Sequence, residues 1–288
     1  MSLGAWFARL PSGVARALLP LLRYLNLMRA LEMRCLAPWT QKVEGWRVLD
    51  VGCGHGIYSL DLARRGAGLV GCDLQRPSLA AATQMAQGLD LNGRSLFVAA
   101  DGSRLPTADS SFDLVVCNCV LEHIVDDQGA LTSMVRALRP GGLLYLAVDS
   151  AEHGLVLGFL DRLPPGLKSL VLRPEIASAP SVSEGLAARL DELYSVLRRY
   201  HRDELASALS ALGMTVLDSR PYLTGVGAAQ YEAVHIFKGL SASQGLGRWF
   251  YMASSLLLYP FAALSDKRRH APGYGLALIA RKERPANR

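Results

Sequence analysis

Three aspartates follow three successive apolar runs of the sequence, and the first of them stands beside a cluster of glycines. Asp50 lies in the stretch Val48–Gly56, in which three glycines are spaced two residues apart and a helical pattern follows. Asp73 and Asp101 come at the ends of the next two apolar runs. Glycines let the backbone approach a ligand closely, and the first turn of a helix offers unpaired amides. The sequence therefore predicts a cofactor site at this turn.

The spacing of these residues indicates which cofactor binds. Ile57 stands where the third glycine of a dinucleotide-binding Gly-x-Gly-x-x-Gly motif would fall, so a pyrophosphate is disfavoured. Asp50 would repel a diphosphate but suits an ammonium or a sulfonium. Asp73, 21 residues after Gly52, stands where an acidic side chain binds both hydroxyls of a ribose, and Asp101 can accept the exocyclic amine of adenine. Adenine, ribose and an amino-acid tail without phosphate describe S-adenosylmethionine.

Six motifs, in order over about a hundred residues, resemble the class I S-adenosylmethionine-dependent methyltransferases, particularly the branch that acts on small molecules and lipids. These motifs are Val48–Gly56, Gly71–Leu74, Ala100–Gly102, Ser111–Val115, Val120–His123 and Leu138–Gly142. The resemblance implies an α/β, Rossmann-like fold with a mostly parallel seven-stranded sheet and an antiparallel last strand. It also implies S-adenosylmethionine as cofactor and S-adenosylhomocysteine as product.

The resemblance also assigns the cofactor contacts to individual residues. They are Asp50, Gly52, Cys53 and Gly54 at the methionine part, Asp73 and Leu74 at the ribose, Asp101, Gly102 and Ser103 at the adenine, and Asn118 facing the same cleft. The Asn/Asp-Pro-Pro-aromatic motif of enzymes that methylate amino groups of nucleic-acid bases is absent, and Asn118–Leu121 stands in its place. Methylation of bases is therefore disfavoured.

His123 is the candidate general base, because it follows the fourth predicted strand and histidine titrates near neutral pH. A purely structural role for His123, in packing or at a helix start, stays open. Glu122 is expected to point elsewhere if this segment is helical. The five cysteines show no metal-binding spacing, so neither a metal nor a nucleophilic thiol is expected.

The alternation of short apolar runs with helical stretches is typical of βα units that build a parallel sheet. We predict strands at 47–51, 68–72, 95–99, 112–117, 142–148, 214–219 and 275–280. We predict helices at 57–65, 77–89, 183–199 and 201–212, and two short helices within 155–172. The chain divides into an amphipathic N-terminal segment (1–45), a cofactor-binding core (46–150), a helical acceptor lid (151–212) and C-terminal strands (213–288) with an apolar insertion (246–264).

The net charge of +6 is unevenly distributed over the 288 residues. Basic residues outnumber acidic ones by six to two in 1–45 and by eight to two in 246–288, whereas 46–245 has 17 basic and 21 acidic residues. This pattern disfavours a nucleic-acid partner, which would need a broad basic surface. Both basic ends are also apolar, which favours contact with an anionic membrane surface.

The apolar insertion has no charge from 249 to 264, and Lys267, Arg268 and Arg269 follow it. It is shorter than the roughly 20 residues needed to cross a bilayer, and Pro260 interrupts it. A helix lying in the membrane plane is predicted, with a buried core or dimer helix as the alternative. The odd number of unpaired cysteines predicts a cytoplasmic protein, which the insertion would hold peripherally on the inner face of the membrane.

We therefore expect a methyltransferase that acts on a hydrophobic small molecule or lipid-like acceptor. The sequence does not choose among carbon, oxygen and nitrogen as the methylated atom, and a homo-oligomer remains open. Two alternatives are a soluble natural-product methyltransferase with an apolar dimer interface and a non-catalytic partner subunit that binds S-adenosylmethionine.

Overall fold

The computed structural model describes residues 9–11, 13–14, 17–19, 23–152, 155–237, 245–266 and 271–284. The strands are β1 Arg47–Val51, β2 Gly68–Asp73, β3 Ser95–Ala99, β4 Phe112–Asn118, β5 Leu138–Asp149, β6 Met214–Tyr222 and β7 Gly275–Lys282. They form one seven-stranded sheet in the order β3-β2-β1-β4-β5-β7-β6. The first five strands pair in parallel, and β7 is antiparallel to both β5 and β6. The expected α/β sheet with an antiparallel last strand is confirmed.

Helices cover both faces of the sheet and the edge at which its parallel strands end. They are α1 Leu27–Leu36, α2 Ser59–Arg64, α3 Arg76–Gly88, α4 Asp127–Ala137, α5 Pro165–Val171, α6 Pro174–Ala177, α7 Val182–Tyr194, α8 Arg202–Ala211, α9 Gly225–Ile236 and α10 Gly245–Ser265. Single 3-10 turns follow β3 at Gly102–Arg104 and β4 at Leu121–His123.

Two departures from the predicted helices affect the site. The helix predicted at 183–199 ends at Tyr194, because Ser195 adopts a left-handed backbone with φ of +53°. The chain then runs along the edge of the sheet, where Leu197 N donates to Glu122 O at 2.9 Å. Helix α9 was not predicted, because most of its residues are buried and it lacks the alternation of polar and apolar faces that marks a surface helix.

Helix α1 and helix α10 meet at the N-terminus of α1. The side-chain oxygen of Asn26 accepts the backbone N–H of Arg29 at 3.2 Å and so caps α1. The same oxygen accepts the hydroxyl of Tyr251, on α10, at 2.9 Å. Helix α10 thereby fixes the start of the helix that lies over the sheet edge.

The predicted helix in the apolar insertion is present as α10. In the part of the chain that the structure describes, no helix combines the length and hydropathy needed to span a bilayer. Tyr251, Ser255 and Ala262 on one face of α10 are buried. Several residues of the predicted basic ends, namely Arg16, Lys267, Arg268 and Arg269, lie outside the described residues.

Candidate cofactor and active site

The glycine turn after β1 has the backbone geometry of a ligand-binding loop. Gly52 and Gly54 have φ of +70° and +52°, a region that residues with a Cβ rarely adopt. A Cβ on Gly52 would also overlap the side chain of Val120. Gly54 N donates to Oδ2 of Asp73 at 2.9 Å. The turn is therefore held against the end of β2, and its sequence is restricted at Gly52 by sterics as well as by conformation.

Asp73 links the glycine turn to the loop after β2. Its second carboxylate oxygen, Oδ1, accepts Gln75 N at 2.8 Å. Each carboxylate oxygen thus accepts one backbone N–H and keeps one lone pair free of these bonds. Two neighbouring hydroxyl groups can donate to these two lone pairs. Leu74, between them, is exposed and offers an apolar contact at the same edge.

Asp101 lies at the corresponding end of β3, on the exposed surface. Its Oδ1 accepts both the backbone N–H and the hydroxyl of Ser103 at 2.8 Å, and these bonds lower the pKa of the Asp101 carboxyl. Gly102 lies against the side chains of Val51 and Ile124. The loop therefore combines a fixed carboxylate with an apolar floor, which suits a flat heterocycle that carries an amine.

Asp50 is the buried carboxylate of this edge, with 6% of the residue exposed. The pKa of its carboxyl is raised to about 7, mainly by burial and also by the charge of Asp73. A hydrogen bond from Ser59 favours the ionised form and so lowers the pKa. The positive charge of Arg29 also lowers it. Asp50 is therefore poised between its neutral and ionised forms and would be stabilised as a carboxylate by a bound cation.

Sequence reasoning missed Arg29 and Glu32, which lie on α1. Arg29 Nη1 donates to both carboxylate oxygens of Glu32 at 3.0 and 2.8 Å, and 28% of its side chain stays exposed. Glu32 is fully buried, and it is one of only two acidic residues in 1–45. A lone Glu three residues after an Arg, on the apolar face of a basic helix, was the signal that could have revealed the pair.

Glu32 also connects α1 to the ends of β4 and β6 and to the interior of β5. Its Oε1 accepts the thiol of Cys119 at 2.9 Å and the hydroxyl of Tyr222 at 3.2 Å. The hydroxyl of Tyr145 donates to the backbone oxygen of Glu32 at 2.6 Å. These contacts hold α1 above the carboxyl ends of the central strands.

Asn118, the last residue of β4, is brought into the same region. Its side-chain amide donates to Sδ of Met33 on α1 at 3.4 Å. Its Oδ1 is buried and has no hydrogen-bond partner among the described residues. A ligand with a donor group can satisfy this oxygen. Cys53, in the glycine turn, lies against Gly71 of β2 and has a thiol whose pKa burial raises strongly, so it is a neutral contact.

The turn Leu121–His123 places its two polar side chains on opposite sides. His123 is exposed, and its Nδ1 lies 3.1 Å from Ser195 O. Glu122 is only 1% exposed, and its Oε2 has no hydrogen-bond partner among the described residues. The side chain of Glu122 therefore points away from that of His123 and into the protein interior.

Glu122 faces Asp149, the last residue of β5, and Cys119. The carboxylate oxygens of the two acids and the Cys119 thiol lie within 4.8 Å of one another. The group combines two carboxylate oxygens, which are hard donors, with one sulfur, which is a soft donor. Burial raises the pKa of Cys119 well above its usual value, and its thiol proton is donated to Glu32.

Comparison with known proteins places this site in context. Residues 49–146 match the family model described as a methyltransferase domain. The ubiquinone biosynthesis O-methyltransferase of Rhizobium rhizogenes is 36% identical over 172 residues, which cover 54% of this chain and 66% of that protein. The enzyme of the same name from Rhizobium johnstonii is 35% identical over 156 residues, covering 50% and 61%. The matches thus span less than two thirds of these relatives.

Solved structures share the fold at low sequence identity. A [4+2]-cyclase, SpnF, has a TM-score of 0.56 and 22% identity, with 88% of this chain and 80% of that chain covered. A geranyl diphosphate methyltransferase in complex with S-adenosylmethionine has a TM-score of 0.54 and 14% identity, with 87% and 84% covered. These similarities support the Rossmann-like fold that the sequence predicted.

The substitution Asp73→Ala is expected to weaken binding of S-adenosylhomocysteine by about 1 to 3 kcal/mol, or about 5- to 150-fold, because it removes acceptors for the ribose and frees the Gly54 amide. Isothermal titration calorimetry measures this loss. Asp109→Ala, which removes a surface ion pair with Arg136, serves as control and should bind as the wild type does. Equal affinities of the two variants would contradict the assignment of Asp73 to the ribose.

The affinity for S-adenosylhomocysteine is expected to fall as the pH drops below about 7. Only ionised Asp50 can bind the ammonium group, and well below its pKa the ionised fraction falls about tenfold per pH unit. Calorimetry between pH 5.5 and 8.5 tests this. At low pH, binding should also release protons, because Asp50 must ionise to bind the ammonium group. Asp50→Asn should bind S-adenosylhomocysteine weakly, and its affinity should not depend on pH over this range. If the pH dependence remained in this variant, another group would be its cause.

Proposed function

We propose that this protein is a class I S-adenosylmethionine-dependent methyltransferase that transfers the methyl group to a hydroxyl of a hydrophobic, lipid-like acceptor. The match of residues 49–146 to the methyltransferase-domain model and the similarity to the curated relatives support this assignment. The observation that carries this proposal is the set of strand-end carboxylates around the glycine turn. Asp50 and Asp73 flank this turn from adjacent strands, and Arg29 acts on Asp50 from above.

Each part of the cofactor has a matching group. Asp50 would bind the methionine ammonium, and Arg29 is the nearby cation for the methionine carboxylate. Asp73 would accept hydrogen bonds from the two ribose hydroxyls, and Asp101 would accept one from the adenine amine. S-adenosylmethionine supplies a methyl group on a positively charged sulfur, and the protein's task is to hold the acceptor in line, about 3 to 3.5 Å from that methyl.

An aromatic wall next to the carboxyl ends of β4 and β5 supports a ring-shaped acceptor. The ring of Tyr231 lies 4.5 Å from that of His235 and 5.2 Å from that of Tyr274. The hydroxyl of Tyr194 is 3.0 Å from His235 Nε2. Burial lowers the pKa of His235 to about 4, so this wall carries no positive charge at neutral pH and favours a neutral aromatic guest.

The lid over this wall is anchored by a buried carboxylate. Glu232 on α9 is fully buried and accepts Val156 N at 2.8 Å and Leu157 N at 2.7 Å. It also accepts the hydroxyl of Tyr274 at 3.0 Å. The lid is thereby tied to the aromatic wall. The relatives are named as O-methyltransferases of ubiquinone biosynthesis, which favours oxygen as the methylated atom and an aromatic ring with an apolar chain as acceptor.

The exposed face of α10 supports contact with a membrane surface. Its large exposed side chains recur at helical spacing and are Trp249, Phe250, Leu256, Leu257, Phe261 and Leu264. Trp249 is 69% and Leu257 is 73% exposed. Three basic residues follow this helix in the sequence, a combination suited to anionic lipid. The protein would act peripherally on the inner face of the membrane, where a lipid-like acceptor is dissolved.

Incubation with isotopically labelled S-adenosylmethionine and a host lipid extract is expected to label one class of hydroxylated, apolar aromatic compounds, which mass spectrometry identifies. Asp73→Ala should reduce this labelling, and Asp109→Ala should not. Labelling of carbon or nitrogen would overturn the choice of oxygen. Tight binding of S-adenosylhomocysteine without transfer to any acceptor would instead favour a non-catalytic subunit.

The double substitution Trp249→Glu, Leu257→Glu should lower binding to vesicles of phosphatidylglycerol and phosphatidylcholine at least about tenfold, because burial of one such side chain contributes about 1.5 to 3 kcal/mol. Flotation of the vesicles measures this. Leu96→Glu, at an exposed apolar position on the edge strand β3, is the control. A different result would favour a dimer interface: the wild type sediments as a dimer and does not bind vesicles, and the double substitution dissociates the dimer.

A further inference from the structure

Glu122 and Asp149 form a pair of carboxyl groups that the cofactor assignment leaves unused. Glu122 lies in the turn after β4, and Asp149 ends β5, at the edge where the glycine turn ends β1. Their carboxylate oxygens lie within 4.8 Å of each other. One oxygen of Glu122 is buried without a hydrogen-bond partner among the described residues. Such a group requires a proton or a ligand to offset the loss of hydration.

The surroundings keep this pair from being doubly ionised. Burial raises the pKa of Glu122 to about 8, and the charge of Asp149 raises it further. Burial also raises the pKa of Asp149, against the positive charges of Arg199 and Arg29 and the charge of His123 when it is protonated. Ionisation of one carboxyl group opposes ionisation of the other at this distance, so the pair titrates as one unit.

Every element around the pair contributes a titratable or charged group. These groups are Arg29 and Glu32 on α1, Cys117 on β4, Cys119 and His123 beside the turn, Tyr194 on α7, Arg199 and Tyr200 after α7, and Tyr231 on α9. Arg199 is itself paired with Asp191, with Nη2 2.6 Å from Oδ1.

The charge of Arg29 couples the pair to the cofactor site. Its charge acts on Asp50 at the methionine end and also on Glu122 and Asp149. Tyr194 and Tyr231 of the aromatic wall feel the charge of Asp149. Because β4 pairs with β1 and β5 pairs with β4, the carboxyl pair lies at the same edge of the sheet as the glycine turn, at the ends of the next two strands.

We propose that Glu122 and Asp149 together accept the proton of the acceptor hydroxyl during methyl transfer. In this step the acceptor oxygen forms a bond to the methyl carbon, and the carbon–sulfur bond breaks with its electron pair left on sulfur. The hydroxyl proton moves to the carboxylate of the pair, and S-adenosylhomocysteine leaves uncharged at sulfur. The inference rests on the proposed function and names the general base that it needs.

The exposed position of His123 explains why the pair, and not His123, is assigned this role. Its Nδ1 lies against the backbone oxygen of Ser195 on the outer side of the turn. The charge of His123, when the ring is protonated, acts on Asp149, but the hydrogen-bond partner of the ring is Ser195 O. Glu122, on the inner side of the same turn, faces the reaction.

The test compares Glu122→Gln with the wild type on a dodecyl-substituted catechol. The kcat of the wild type should rise with pH through about 8 as the pair loses its proton. Glu122→Gln should lower kcat about 10²- to 10⁴-fold, the usual contribution of a general base, and should lose this rising limb. Affinity for S-adenosylhomocysteine should not change. Glu192→Gln, an exposed position on α7, is the matched control and should behave as the wild type does.

A second acceptor sharpens the test. A nitro-substituted dodecyl catechol, whose hydroxyl ionises near neutral pH, needs no base, so the defect of Glu122→Gln should largely disappear with it. If Glu122→Gln does not fold by circular dichroism, Asp149→Asn is used in the same way.

Several results would overturn the inference. Full turnover of Glu122→Gln with an unchanged pH profile would do so while the methyltransferase function stands. Loss of wild-type turnover on addition of EDTA, restored by Mg²⁺, would assign the carboxylates to a cation. Absence of methyl transfer by the wild type to either catechol and to the lipid extract would overturn the proposed function and this inference together.

Discussion

The buried carboxylate of Glu32 is the interaction on which the arrangement of the site depends. A buried charge is tolerated only when it is paired and hydrogen-bonded, and Glu32 obtains its partners from Arg29, Cys119 and Tyr222. These partners come from α1 itself and from the ends of β4 and β6. Helix α1 can satisfy them in one position only, directly above the strand ends. The N-terminal segment is therefore part of the site rather than an appendage.

This position gives the site an ordered distribution of charge. The charge of Arg29 acts on Asp50 at a first side of the site, the end of β1, and on Glu122 and Asp149 at a second side, the ends of β4 and β5. Acidic groups in a buried region raise one another's pKa values, and the charge of Arg29 opposes that effect at Asp50, Glu122 and Asp149. The same electrostatics favours a cationic cofactor on the first side and leaves a proton-accepting group on the second. One salt bridge thus serves two chemically different halves of the cleft.

The fold was predictable where short-range patterns decide it. Apolar runs ending in Asp50 and Asp73 gave the strands and their order along the chain, and the glycine spacing gave the turn. The sequence could not reveal Glu122 facing Asp149, because that contact joins residues far apart in the chain through two parallel strands. The left-handed Ser195 ended a helix whose pattern continued beyond it, since a single backbone angle leaves no trace in hydrophobic periodicity.

The oxygen of Asn26 has a consequence for motion within the protein. A carbonyl oxygen has two lone pairs, and here one receives the first turn of α1 and the other the Tyr251 hydroxyl of α10. The oxygen has no further lone pair. If one helix slid past the other, either Arg29 N or the Tyr251 hydroxyl would lose its acceptor in a partly buried region. We therefore expect a displacement of α10 to be coupled to the first turn of α1, which carries Arg29.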